Sequence, residues 1–152
     1  MLVTSEKAGK RGVMTTEYYS QKLQQGLEYQ DFISDELGIP FYSSKKYQND
    51  KGESKIGIEI KFDDRYAETG NLYIETHEKT DASNNDWVVS GINRKDNTCI
   101  YLIGNFQNAF MFSKKTLLKL QQLFRSVETP TSKGYLIPQK DISTYSIKDF
   151  TF

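Results

Sequence analysis

Residues 55–79 read KIGIEIKFDDRYAETGNLYIETHEK, and this stretch decides the fold. Apolar and polar residues alternate over 55–63 and again over 71–79. A repeat of two residues sends successive side chains to opposite faces of a β-strand, so the spacing predicts two strands, each with one apolar face. Residues 64–70 are expected to form the connection between them.

Helix and strand patterns continue on both sides of this stretch. Residues 15–37 carry apolar side chains near helical spacing and are followed by Gly38 and Pro40, which predicts a first helix. Ser113 is a suitable N-cap for a second helix over 114–127. Further strands are expected at 87–89, 99–103, 109–112, 135–137 and 144–147. This order predicts an α+β fold with one mixed β-sheet flanked by helices.

The composition is typical of one folded domain. The chain has 152 residues, and its aromatic content of 13% is far above that of disordered segments. We expect a flexible, mildly basic arm over 1–14 and a single domain over 15–152. Because 20 Lys and Arg balance 20 Asp and Glu, the net charge of zero excludes a polycationic nucleic-acid binder but not a local binding patch.

The sequence contains no segment suited to a membrane. The longest apolar run, 99–103, is far shorter than the ~20 residues of a spanning helix, and 1–14 lack the apolar core of a secretory signal. We therefore expect a cytoplasmic protein. A single histidine and a single cysteine exclude a zinc site built from those ligands, so carboxylates would hold any divalent metal, which suits Mg²⁺ or Mn²⁺.

Charged residues on the two strands form a candidate catalytic site. If the strands pair as a hairpin, five side chains share one face, in a register that the sequence does not fix: Glu59, Lys61, Asp63, Glu75 and His77. A metal held by carboxylates can polarise a phosphodiester and activate water, and a lysine can stabilise the developing charge. The same pattern is also typical of a solvated strand face whose charges form ion pairs.

The motifs of this region resemble those of a known family. GIEIKFD at 57–63, TGNLYIE at 69–75 and SGI at 90–92 are similar to motifs of phage and bacterial proteins with a PD-(D/E)XK, restriction-endonuclease-like core. The similar stretch runs from near residue 55 to near residue 120. The resemblance implies a helix followed by a β-hairpin core, and metal-dependent cleavage of DNA.

The resemblance also implies roles for individual residues. Carried over by position, Asp63 and Glu75 would be ligands of Mg²⁺ or Mn²⁺. Glu28, at the border of the apolar stripe of the first helix, would be the further acidic residue that such folds often contain. The family pattern has a lysine two residues after the second ligand, and this chain has His77 there.

Two arrangements would replace the missing lysine. In the first, Lys61 reaches the site from the neighbouring strand. In the second, Glu59 and Lys61 are themselves the E-x-K element, with Asp50 as the upstream acid. We prefer the first because Asp50 lies in a predicted turn.

Two functions follow from these patterns. The first is a magnesium-dependent DNA endonuclease without a nucleotide cofactor, which would cut both strands as a homodimer because one site faces one strand. Action on branched or single-stranded DNA is a variant of this function. The second is a non-catalytic binding or interaction protein on the same fold, related to phage or host defence. The net charge of zero and His77 in place of the lysine favour the second function.

Overall fold

The computed structural model describes residues 16–39 and 56–152, which form an α+β fold. The predicted arm 1–14 and Asp50 lie outside the described residues. The helices are α1 (Thr16–Leu37), α2 (Tyr66–Thr69), α3 (Lys114–Leu120) and α4 (Gln139–Tyr145). The strands are β1 (Ile58–Phe62), β2 (Asn71–Glu78), β3 (Val88–Val89), β4 (Ile100–Gly104), β5 (Asn108–Ser113), β6 (Ser126–Glu128), β7 (Ser132–Pro138) and β8 (Lys148–Thr151). Within the described ranges, no helix is long and apolar enough to cross a membrane.

The strands form two sheets of four strands each. The first has the order β1-β4-β5-β8 and is mixed, since β1 runs parallel to β4 and the other pairs are antiparallel. The second has the order β3-β2-β7-β6 and is antiparallel. The prediction of a single mixed sheet is therefore wrong. Each sheet has an apolar face, and the two faces cover one another.

The two strands of the opening stretch do not form a hairpin. β1 pairs with β4, which places Glu59 opposite Tyr101, whereas β2 pairs with β7, which places Glu75 opposite Gly134. The expected cross-strand contacts between Glu59 or Lys61 and Glu75 are therefore wrong. The connection explains the difference: α2 ends at Gly70, whose φ of 72° is left-handed, and β2 begins directly after it, in the second sheet.

The core has two parts, one on each face of the first sheet. Between the sheets, Leu72 and Ile74 of β2 pack in one apolar cluster with Tyr101 and Ile103 of β4. On the other face, α1 packs against β1 through a second cluster: Tyr29, Ile33, Ile60, Leu102 and Ala109. The layers are thus α1, the first sheet and the second sheet, and β1 lies at an edge of the middle layer.

Near the C-terminus, one predicted helix starts after its Ser113 N-cap as expected but is shorter than predicted, and one predicted strand is absent. The helix expected over 114–127 ends at Leu120, and Ser126–Glu128 instead form β6, whose hydrogen bonds to β7 outweigh the helical pattern. The strand expected over 144–147 is also absent. Pro138 ends β7 and is followed directly by α4, so the last strand, β8, starts only at Lys148 and pairs with β5.

Candidate functional site

A cavity of about 460 Å³ opens where the edge of the first sheet meets the second sheet. Lys61 of β1, Asp63 just beyond the end of β1, and Glu75 of β2 all line it. The structure therefore brings three of the predicted site residues to one cavity, although the strands that carry them do not pair. Asp64 and Arg65 lie at the same cavity.

Asp63 joins the two sheets through its carboxylate. One oxygen accepts a hydrogen bond from the Tyr73 amide at 2.9 Å, and the other accepts one from the Arg65 amide at 3.1 Å. The Tyr73 amide lies where β2 has no strand partner on that side, because β3 pairs only with His77 and Glu78. Burial raises the pKa of Asp63, which is 8% exposed, although these backbone donors oppose the effect.

Glu75 lies two residues after Tyr73 and is held by two serines. Its Oε2 accepts a hydrogen bond from the Ser90 hydroxyl at 2.8 Å, and its Oε1 accepts one from the Ser132 hydroxyl at 3.1 Å. Gly91 has a φ of 52°, and a Cβ there would lie 2.1 Å from the Glu75 carbonyl oxygen. The SGI segment thus positions Glu75, since Ser90 fixes its carboxylate and Gly91 allows the close approach.

Lys61 is close to the cavity carboxylates but is paired with a different one. Its ammonium lies 3.4 Å from the carboxylate of Glu59, on the same strand, and its side chain is half exposed. Glu59 does not line the cavity and is linked to it by this ion pair with Lys61. Asp64, by contrast, forms an ion pair with Lys22 of α1.

Glu28 and His77 do not line this cavity. Glu28 is exposed on α1, where its carboxylate accepts a hydrogen bond from the Gln24 amide at 3.2 Å. The His77 Nδ1 lies 2.9 Å from the Thr76 hydroxyl. A register shift between Glu75 and His77 interrupts the pairing of β2 with β7, so the two residues are not positioned as neighbours on a regular strand.

Three carboxylates line the cavity, those of Asp63, Asp64 and Glu75. Within 16–39 and 56–152, no group of three or more His, Cys, Asp or Glu side chains is placed to hold a metal ion. Magnesium usually binds one or two carboxylates together with waters and substrate phosphates. Asp63 and Glu75 supply two carboxylates, and an oxygen that accepts one hydrogen bond keeps a second lone pair. These two residues would hold the ion.

Two further residues of the site were not predicted from the sequence. Tyr73 lines the cavity, and its hydroxyl lies 2.5 Å from the Ser132 hydroxyl that also binds Glu75. The alternation over 71–79 places Tyr73 on the same strand face as Glu75, so the sequence does contain a signal for this residue. Ser132 is 57 residues from Glu75 in the chain, and no local pattern connects them.

Comparison with known proteins does not identify a family for this chain. No protein-family model matches it. No curated protein and no solved structure shows significant similarity to it either.

Proposed function

We propose that this protein is a metal-dependent DNA nuclease related to the PD-(D/E)XK, restriction-endonuclease-like family, with the cavity as its active site. One observation carries the proposal. Asp63 and Glu75 line one cavity, and neither forms an ion pair with a lysine or arginine of the described residues. Carboxylates that line one cavity without a paired protein cation are the kind of ligand that Mg²⁺ uses together with waters and substrate phosphates.

Each of these residues has a separate role in the proposed hydrolysis of a phosphodiester. When bound, Mg²⁺ or Mn²⁺ would polarise the phosphodiester and lower the pKa of the attacking water. Asp63 and Glu75 would hold the ion. Lys61 stabilises the negative charge that develops on the phosphate, and Glu59 positions that lysine. Arg65 at the cavity binds a phosphate of the DNA backbone.

The proposal assigns one active site to each chain. A single site faces one strand, so cleavage of both strands of a duplex would require a homodimer. The proposal includes the cytoplasm of a bacterial or phage-infected cell as the place where the enzyme acts on DNA.

The test compares near-isosteric variants that remove the negative charge and replace one acceptor oxygen with an amide NH₂ group. Wild type, Asp63→Asn and Glu75→Gln are incubated with supercoiled plasmid and with single-stranded DNA in the presence of Mg²⁺ or Mn²⁺. Asp81→Asn is the matched control, because Asp81 lies in an exposed loop outside the cavity, where its carboxylate accepts hydrogen bonds from Ser83. We expect the first two variants to lose cleavage by about a thousandfold, since the ion contributes several kcal/mol. Cleavage at the wild-type rate by both would contradict the proposal.

A second function, a non-catalytic interaction protein, is favoured by a different observation. All four carboxylate oxygens of Asp63 and Glu75 already accept hydrogen bonds from the chain. These bonds would stabilise the cavity wall without any metal. Folded wild-type protein that neither binds Mg²⁺ or Mn²⁺ nor cleaves any DNA form would support this second function.

A further inference from the structure

The cavity is lined by charged and by apolar side chains. The charged residues include Lys61, Asp63 and Arg65. The apolar lining comprises three residues of the core between the sheets, Ile74, Ile92 and Ile103, together with Val127 and Leu136. Metal binding and contact with phosphates use only polar groups. The apolar lining therefore has a role that phosphodiester cleavage alone does not explain.

The volume and the lining fit one planar apolar group. A cavity of about 460 Å³ lies within the ~300–1,000 Å³ range of ligand pockets, which combine apolar walls with a few polar groups. A base stacked inside a duplex cannot enter such a concave space. An unstacked base can, and its two faces are apolar while its edges and its phosphate are polar.

Tyr73 supplies a fixed aromatic wall. Its ring packs against β7 at Gly134, where a Cβ would lie 2.9 Å from the ring carbon Cε1. Its hydroxyl lies 2.5 Å from the Ser132 hydroxyl, so both ends of the side chain are held. A ring fixed in this way loses little conformational freedom when a base stacks on it. Ser132 also binds Glu75, and it thereby connects the aromatic wall to the metal ligand.

We propose that the cavity binds one unstacked nucleobase of a DNA strand, with the adjoining phosphate at Lys61 and Arg65. Single-stranded or frayed DNA is then the preferred substrate, because unstacking a base from a duplex costs free energy that a single strand largely avoids. The substrate preference rests on the proposed nuclease function. Base binding itself does not, since it is measured without metal and without cleavage.

The test measures the binding of a fluorescently labelled single strand and of the matching duplex. Fluorescence anisotropy in buffer with EDTA reports the affinity of each. Leu136→Trp fills the cavity, and Val127→Trp is the second variant if the first does not fold. Leu118→Trp adds the same side chain at an exposed position of α3 outside the cavity and is the control. We expect wild type and Leu118→Trp to bind the single strand about tenfold more tightly than the duplex, and Leu136→Trp to lose that preference.

A pair of variants at Tyr73 tests the aromatic wall. Tyr73→Phe keeps the ring and loses only the hydrogen bond to Ser132, whereas Tyr73→Ala removes the ring. We expect Tyr73→Phe to retain single-strand binding and Tyr73→Ala to weaken it about tenfold. Equal binding by all three proteins would overturn the stacking role of this residue.

The outcomes separate the base site from the nuclease. Equal cleavage of single strand and duplex, unchanged in Leu136→Trp, overturns the base site and leaves the nuclease intact. Single-strand binding that Leu136→Trp abolishes, without cleavage in Mg²⁺ or Mn²⁺, supports the base site and contradicts the nuclease. A parallel titration with deoxyadenosine 5′-monophosphate distinguishes the source of the base. Binding of the free nucleotide without binding of the strand overturns DNA as the occupant.

Discussion

Two aspartates, Asp63 and Asp96, have carboxylates in opposite electrostatic surroundings. The side chain of Asp96 is 3% exposed and accepts hydrogen bonds from Lys114 at 2.9 Å and from Arg94 at 3.1 Å. Burial alone would raise its pKa, but these cations and the Thr98 amide together lower it. Asp63 accepts hydrogen bonds from backbone amides only, and burial raises its pKa.

The difference separates a carboxylate that is paired with protein cations from one that is not. Asp96 connects the loop before β4 to the start of α3, and its charge is already matched by protein cations. Asp63 lies at the cavity with Glu75, and among the described residues no lysine or arginine forms an ion pair with either. Two aspartates with limited exposure to solvent therefore have different electrostatic surroundings, and the proposed cation site uses the carboxylates that lack a protein cation.

The strongest test of this contrast is removal of Asp96. Asp96→Ala leaves Lys114 largely buried without its carboxylate, so we expect a loss of about 3 kcal/mol in the free energy of unfolding. Urea denaturation measures it. Glu68→Ala is the control, because it breaks an Arg65–Glu68 pair in which both side chains are 72% exposed, and it should cost about 0.5 kcal/mol or less. If Asp96→Ala and Glu68→Ala lowered the free energy of unfolding equally, the stabilising role assigned to Asp96 would be contradicted.

Removal of Ser132 tests whether Glu75 is held for binding. Ser132→Ala removes one hydrogen bond to Glu75 and one to Tyr73, and we expect magnesium affinity to fall about tenfold. The matched control is Ser83→Ala, since Ser83 binds only Asp81 in an exposed loop. Calorimetric titration compares the variants. An unchanged affinity in Ser132→Ala would show that this hydroxyl does not position a ligand.

The two aspartates should also have opposite effects on the pH dependence of stability. The folded pKa of Asp96 is below its unfolded value of ~3.9. The contribution of Asp96 to the stability of the fold is therefore present above that pH and is lost as the pH falls through the folded pKa. The folded pKa of Asp63 is raised, so its contribution is present below ~3.9 and is lost as the pH rises through the folded pKa.

Urea denaturation across acidic pH, in EDTA, measures both contributions. On acidification, the stability of wild type relative to Asp96→Asn should decrease, and its stability relative to Asp63→Asn should increase. If the two differences in the free energy of unfolding changed with pH in the same direction, the surroundings assigned to one of the two carboxylates would be contradicted.

Local patterns predict the elements of this chain better than their pairing. The alternation over 55–63 and 71–79 correctly predicts β1 and β2, and the helical spacing over 15–37 correctly predicts α1. Pairing depends on partners far along the chain, and an apolar strand face is buried equally well in either sheet. The hairpin was therefore a reasonable prediction that Gly70 and α2 overturn.

The candidate site residues that belong to a sequence motif could be predicted. Asp63 and Glu75 belong to the resemblance, and Lys61 to the alternation, and all three line the cavity. His77 was expected from strand periodicity, which the register shift after Glu75 interrupts. Ser132 comes from β7, and only the folded chain brings it to Glu75.

Calorimetric titration of Mg²⁺ into wild type, Glu75→Gln and Glu68→Gln tests most directly whether the unpaired carboxylates of the cavity bind a cation. Glu75→Gln keeps the side-chain size and one acceptor oxygen while it removes the charge. We predict that wild type and Glu68→Gln bind the ion and that Glu75→Gln does not. Folded wild-type protein that binds no Mg²⁺, or equal binding by all three proteins, would contradict the assignment of the cavity as a metal site.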